Sequence, residues 1–373
     1  MSSIDILREV NVERTARVMQ MEGMFDVPPS QKNAEHWCFD FDLPNEWNVG
    51  LIVGPSGSGK TTIAREVFGD YLVSGWDWPD NKSILDGFPK DMSIKDIVNL
   101  LSSVGFSSPP SWVRPFKVLS NGEQFRVNMA RTLAENKEIA VVDEFTSVVD
   151  RTVAQIGSAA IQKTVRKRNQ KFIAVSCHYD IIEWLEPDWV FQPHTGELLV
   201  GRSLWRRPKI ELKVKRVHSS AWQLFRKHHY LSTDLNPSAV CFCAFWNEIP
   251  VAFIAWLPIP HKIKNLKRIT RIVTLPDYQG VGIGRALQTY MASIVKGMGY
   301  KASITSSHPA VINSLNNDKD WLMTQSPRRT SDSSKLHRKT GLSKTHSTKR
   351  LVASFEYIGP ALQRSEAEKI WNS

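Results

Sequence analysis

Three clusters in this 373-residue sequence have the residue types and spacing to handle phosphates and the water or protons around them. The first is Gly54-Pro55-Ser56-Gly57-Ser58-Gly59-Lys60-Thr61, followed by Thr62. Glycines so placed let backbone N–H groups turn inward around phosphate oxygens, Lys60 neutralises their charge, and Thr61 can ligate Mg2+. The second is Asp143-Glu144 at the end of an apolar run. There Asp143 would hold the metal through water and Glu144 would polarise an attacking water. The third, Gln279-Gly280-Val281-Gly282-Ile283-Gly284, is another glycine-rich turn whose N–H groups suit a pyrophosphate. Proton-transfer candidates in the same half are His228, His229, Tyr230, Asp234, His308 and Asn313. Of these, His228-His229-Tyr230 and His308 are preferred, because each sits where an element ends beside a potential cleft.

These residues need elements to hold them. GLIVGPSGSGKTTIAREVF reads as strand, loop and helix, while EIAVVDEF (138–145) and KFIAVSCH (171–178) are short, β-branched and nearly all apolar. Such runs suit strands buried on both faces of a parallel sheet. Residues 1–36 form a mixed leader, and the stretch 191–209 marks a boundary. Beyond it, PSAVCFCAFWNEIPVAFIAWLP predicts two strands joined at Asn247-Glu248, RITRIVTLP a third, VGIGRALQTYMASIVKGMG an amphipathic helix, and LVASFEYIG a later strand. The Ser/Thr/Lys/Arg-rich segment 327–350 reads as a basic surface loop.

Composition narrows the classes. Four cysteines are too few for a disulfide framework in a chain this long, and Cys241 and Cys243 alternate onto one face of a strand, where they read as buried structural thiols. No apolar run is long enough to cross a membrane, and the start lacks the pattern of a signal peptide, so a cytoplasmic protein without a membrane partner is expected. Residues 1–200 hold 20 Lys and Arg against 27 Asp and Glu, whereas residues 201–373 hold 28 against 10. That asymmetry points the second half toward a polyanion, with nucleic acid the expected partner.

Leu119-Ser120-Asn121-Gly122-Glu123-Gln124 settles the class of the first half, because it resembles the LSGGQ signature of ABC ATPases, with Asn121 in place of a glycine. Gly54–Thr61 then corresponds to Walker A, Asp143-Glu144 to Walker B, Ser147–Asp150 to the D-loop and His178 to the switch histidine. The resemblance implies ATP and Mg2+ as ligands. It also implies an ATP-dependent homodimer in which Ser120 and Gly122, with Asn121 and Glu123 beside them, close on the nucleotide of the other copy. Trp37 or Phe39 either stacks on adenine or belongs to the core. No Q-loop glutamine is recognisable, and the insert at about 89–118 is far shorter than the helical subdomain of transporters, which argues against transport.

Leu275–Gly284 resembles the Q/R-x-x-G-x-G/A signature of the GNAT acetyltransferases, which implies acetyl-CoA as acyl donor. The usual pattern after the next strand is missing, and SSHPAVINSLNNDKDW (306–321) stands there instead. The combination resembles a family of ABC ATPase–acetyltransferase fusions, and the His228–Tyr230 region resembles the Mom-type adenine-modifying enzymes of phages. The expected architecture is α/β: a leader (1–36), a P-loop ABC-type nucleotide-binding domain (37–200), then an α+β GNAT-like domain (201–373). The expected function is ATP-gated acyl transfer to a nucleic-acid base. The alternatives are a protein amine as acceptor, or a nucleic-acid clamp whose GNAT fold is not catalytic.

Overall fold

The computed structural model describes residues 3–11, 13–25, 32–136, 138–229, 234–258, 265–329 and 351–372. Tyr230 and residues 330–350 of the basic loop lie outside them. Compactness groups the chain differently from its linear order. One unit comprises 1–75, 136–147 and 165–206, and the other 76–135, 148–164 and 207–373.

In the first unit, β1 (Ser3–Asn11) pairs antiparallel with β2 (Lys32–Asp40), so the leader continues into a strand that crosses residue 36. The main sheet uses β3 (Val49–Val53), β4 (Leu72–Val73), β5 (Ile139–Val142), β6 (Lys171–Ser176), β7 (Trp189–Gln192) and β8 (Glu197–Val200). Its order is β4-β5-β6-β3-β7-β8, with every pairing parallel except β7 with β8. All five residues of β3 are buried, as a central parallel strand requires. Gly50 lies under the indole of Trp189, where a Cβ would come within 2.0 Å of the ring. Phosphate-facing loops leave the carboxyl ends of β3, β5 and β6, where ligands gather in open parallel sheets.

The start of β3 is tied down by one carboxylate. Asp188 accepts from the backbone N–H groups of Asn48 (2.8 Å) and Val49 (2.9 Å) and pairs with Arg166 at 2.9 Å. Burial alone would raise its pKa, but the bonds from Arg166, Val49 and Asn48 win and hold it below 3.8.

In the second unit, β9 (Lys213–Val217), β10 (Val240–Trp246), β11 (Ile249–Pro258), β12 (Leu266–Thr274), β13 (Lys301–Ser306), β14 (Trp321–Arg329) and β15 (Leu351–Tyr357) form one sheet. Its order is β14-β15-β13-β12-β11-β10-β9, and only β12 with β13 is parallel. Asn247 and Glu248 take φ of +48° and +63°, the left-handed pair that a two-residue hairpin needs, so the expected turn is present. Helix Ile283–Gly297 buries Ile283, Leu287, Met291 and Ile294 against one face of the sheet. On the other face Trp222, Phe225, Cys241, Cys243 and Phe253 form a second cluster. Burial there pushes the Cys243 thiol up to about 12, so it behaves as an inert hydrophobe.

The same unit also contains helices Ile94–Ser103, Asn121–Glu135 and most of Arg151–Lys167. Phe125 packs over Gly157, where a Cβ would meet its ring at 2.7 Å.

Asp188→Ala should cost about 2 kcal/mol of stability, since it strips bonds to a carboxylate from the strand that carries the first phosphate loop. Because the folded pKa of Asp188 is depressed, its contribution is complete above the unfolded value and lost as pH falls through the folded one. Denaturant midpoints should therefore differ between wild type and variant at pH 6 and converge toward pH 3.

Candidate nucleotide and acyl-CoA sites

Ser56, Gly57, Gly59, Lys60, Thr61 and Thr62 line one side of a cleft in the first unit, and Asp143 and Glu144 line the other. Gly57 and Gly59 take φ of +79° and +82°, which turns the loop N–H groups inward before helix Lys60–Phe68. Buried Gly54 and exposed Pro55 start the turn, and Lys60 Nζ donates to the Pro55 carbonyl at 2.7 Å. The Ser58 hydroxyl is buried without a hydrogen-bond partner among the described residues. An unsatisfied donor in a glycine-lined cradle fits a phosphate oxygen. Thr61 with Asp143 supplies the sparse oxygen set that Mg2+ takes alongside phosphates. Glu144 takes a left-handed φ of +49°, and Asp143 Oδ1 accepts from its N–H at 2.8 Å. Such strain in a non-glycine residue is held where it aims a side chain.

His178 is half-buried just beyond Cys177, the last residue of β6's end to line the cleft, and its N–H donates to Ser176 Oγ at 3.1 Å. Trp37 packs over Gly59, and Phe39 stands 4.6 Å from the Phe191 ring, so both join the apolar core.

The signature segment lies in the second unit. Ser120 caps helix Asn121–Glu135 reciprocally with Glu123: Glu123 Oε2 accepts from Ser120 N at 2.9 Å, and Ser120 Oγ accepts from Glu123 N at 3.4 Å. Glu123 Oε1 also accepts from Ser111 Oγ at 2.9 Å, which binds the helix start to the insert. Gly122 is close to Val153 and Asp277: a Cβ there would meet Val153 Cγ1 at 3.3 Å and Asp277 Oδ1 at 3.5 Å.

The second cleft opens in the seven-stranded sheet. β12 and β13 pair only from Leu266 to Ile269 and from Lys301 to Ile304, although β12 runs on to Thr274. The two strands part there, and Thr270–Thr274 with Thr305 and Ser306 line the gap. Gln279, Gly280, Gly282, Ile283 and Gly284 close one end, with Val281 packed toward the core beside them. Gly282, at φ +90°, begins helix Ile283–Gly297 with no side-chain cap and no acid in its first turn. Free N–H groups and a positive helix end suit a pyrophosphate. Gln288 Nε2 points into the same cleft region, buried and without a partner among the described residues. These features fit coenzyme A. The Gln279 side chain, by contrast, is fully engaged: Oε1 accepts from Ser107 N at 2.8 Å and Nε2 donates to Thr274 O at 2.8 Å.

His228, His229 and His308 all line this cleft, so the structure brings the three described histidine candidates together. Burial, then nearby Lys227, lower the His228 pKa below 6.5 against an opposing pull from Glu123. His308 caps helix Pro309–Asn316 by accepting from Ala310 N at Nδ1 (3.2 Å) and bonds the backbone of Ser107; burial lowers its pKa. It therefore holds two segments in place. His229 stacks edge-on to Trp222 at 5.5 Å. Trp222 itself is buried against Phe253, so it is not placed to stack on an exposed base. Asp234 accepts from Arg271 through its carbonyl, and Asn313 donates to Asn99; neither lines the cleft.

Sequence reasoning missed Ser107, Arg271, Arg285 and Gln288, which line the second cleft, and Arg126 beneath it. Arg126 carried a signal: it stands in helical register with Met129, Ala130 and Leu133, all buried, and a charge in an apolar stripe requires a partner.

Comparison with known proteins decides the class of the second half. Residues 202–314 match the profile of the Acetyltransferase (GNAT) family. The second half carries a GNAT acetyltransferase domain, and the first half is similar to ABC-type ATP-binding proteins. In the ATPase half, the chain is 24% identical over 144 residues to the ribosome protection protein VmlR of Bacillus subtilis, covering 34% of this chain and 25% of that one. It is 27% identical over 193 residues to the energy-coupling factor transporter ATP-binding protein EcfA1 of Listeria monocytogenes, covering 41% and 66%. The chain thus spans a quarter to about two thirds of these curated relatives. Among solved structures, cbiO1 from Clostridium perfringens, part of the ABC transporter complex cbiONQ, aligns over 41% of this chain and 76% of its own at 19% identity and a TM-score of 0.34. Among the described residues, no helix is long and apolar enough to cross a membrane.

Lys60→Ala should abolish ATP binding, whereas Glu144→Gln should keep it and stop turnover, as measured by nucleotide-binding and phosphate-release assays. Undiminished hydrolysis in Glu144→Gln would remove that carboxylate from the reaction. At Gly282 a Cβ meets no protein atom within 4 Å, but φ is +90°. Gly282→Val should accordingly leave the chain folded and weaken coenzyme A binding by at least about tenfold, read by calorimetry.

Proposed function

We propose that the chain couples ATP hydrolysis to acyl transfer from an acyl-CoA, with acetyl-CoA as donor, to a nucleophile on a nucleic-acid base. The observation that carries the acyl-transfer reading is the parting of β12 from β13 directly beside the uncapped N-terminus of helix Ile283–Gly297. An extended amide-bearing arm can hydrogen-bond along the main chain of Arg271–Val273 that β13 leaves open, while its phosphates rest on Gly280–Gly284. Bound acyl-CoA supplies the activated acyl group.

The residues of the chain then have distinct tasks. His228, kept neutral by burial and Lys227, accepts the proton of the incoming nucleophile. His308 fixes the wall formed by Ser107 and helix Pro309–Asn316. Among the described residues no carboxylate lines the cleft, whereas Arg271 and Arg285 do, and exposed Arg226 and Lys227 precede His228. An anionic acceptor suits such a mouth, in keeping with 28 basic against 10 acidic residues over 201–373. Closure of two copies over ATP, through Ser120–Glu123, would make the nucleotide site complete.

Two outcomes test this reading. Mass spectrometry of DNA and RNA from cells with and without the protein should reveal an acylated base that is lost in His228→Gln. Unmodified nucleic acid, together with an acylated protein amine, would move the acceptor to protein. In vitro, transfer should rise with pH through an apparent pKa below 6.5 and then level off, and His228→Gln should lower kcat about a hundredfold and erase that acid limb. An unchanged profile in the variant would assign the proton to another group.

A further inference from the structure

The acyl-CoA loop does not stand on its own half of the sequence. Arg126, on the helix that starts at the ABC signature, is fully buried; its Nη1 donates to the Pro276 carbonyl and its Nη2 to the Asp277 carbonyl at 3.1 Å. Ser107 N donates to Gln279 Oε1 at 2.8 Å. Gly105, at φ +89°, lies against the loop so closely that a Cβ would come within 2.7 Å of Gln279 O. A Cβ on Gly280 would in turn meet Gly105 Cα at 3.0 Å and Ala160 at 2.7 Å. Three segments of the ATPase half, around Gly105, Arg126 and Ala160, therefore form the bed of Pro276–Gly280.

We infer that Arg126 is a positioning residue for acyl-CoA, through which nucleotide engagement at Ser120–Glu123 and acyl-CoA binding at Gly280–Gly284 are linked. This rests on the functional reading above. The physical argument is one of shared rigid parts. Arg126 lies one helical turn beyond the capping box of Ser120 and Glu123, so a shift of the helix start moves its guanidinium. A planar guanidinium held in a fixed fork by two successive carbonyls transmits such a shift to the loop, whereas a lysine ammonium on a flexible stem holds them less rigidly. Asp277, Asp150 and Glu123 surround the same charge. Asp150 caps helix Arg151–Lys167 by accepting from Val153 N at 3.0 Å, and Glu123 caps the signature helix, so the acids at both helix starts act electrostatically on the charge that holds the loop. Any coupling must be reciprocal: ATP alters acyl-CoA affinity and acyl-CoA alters ATP affinity by the same factor.

Calorimetry of coenzyme A with the full-length Glu144→Gln chain, with and without Mg-ATP, tests the link. The expected result is a change in Kd of about fivefold or more on adding Mg-ATP. Arg126→Leu in that background should weaken coenzyme A binding and bring the two Kd values within twofold, with Arg126→Lys intermediate. Gly105→Ala, which pushes the loop off its bed without emptying a buried charge, should have the same effect if Arg126→Leu does not fold. A parent chain with equal Kd values in both conditions, or an ATP effect of full size in the variants, would overturn the inference alone. A parent chain that does not bind coenzyme A would overturn the acyl-transfer reading beneath it as well.

Discussion

Arg126 is a charge with no access to water, and the second compact unit is arranged around that constraint. An isolated buried guanidinium costs several kcal/mol, so its partners cannot be optional. Burial lowers its pKa to about 10 against the pull of Asp277, Asp150 and Glu123, which leaves it charged at neutral pH. Its hydrogen bonds go to two main-chain carbonyls 150 and 151 residues away. Pairing its Nη1 and Nη2 donors requires the loop Pro276–Asp277 to lie on the signature helix. The same requirement explains why the ATPase insert clusters with the acetyltransferase sheet and not with the strand that carries the Walker A loop.

Both sites then use one physical device twice. A left-handed glycine ends a loop and a helix begins without a side-chain cap, leaving N–H groups suited to an anion: Gly59 before Lys60–Phe68, Gly282 before Ile283–Gly297. The surroundings separate their chemistry. At the first, Lys60, Asp143 and Glu144 line the cleft, the residue types that would supply charge, a metal ligand and a base. At the second, three histidines and two arginines line a gap between parted strands, and burial lowers the pKa of His228 and His308.

Much of this was legible in the sequence wherever the signal was local. Both glycine turns, the acid pair after β5 and the Asn247-Glu248 hairpin depend on backbone conformations that only a few residue types adopt. The two alternating cysteines likewise proved buried. What could not be read was anything fixed by distant packing. Gln279 matches a cofactor motif, yet its side chain is consumed by Ser107 and Thr274. Trp222 is buried against Phe253 and His229, contacts made by residues distant in sequence or on another element. A linear domain boundary near residue 200 follows the strands and motifs, whereas compactness follows the contacts of Arg126, Gly105 and Ala160, which no periodicity reveals.

The central claim is that the ATPase signature and the acyl-CoA loop move as one body. Hydrogen exchange read by mass spectrometry on the full-length Glu144→Gln chain, with and without Mg-ATP and with no coenzyme A, tests it most directly. The account predicts that amides of residues 276–288 change protection together with those of 120–126 when Mg-ATP is added. A response confined to 54–62 and 120–126, with 276–288 unchanged, would contradict it.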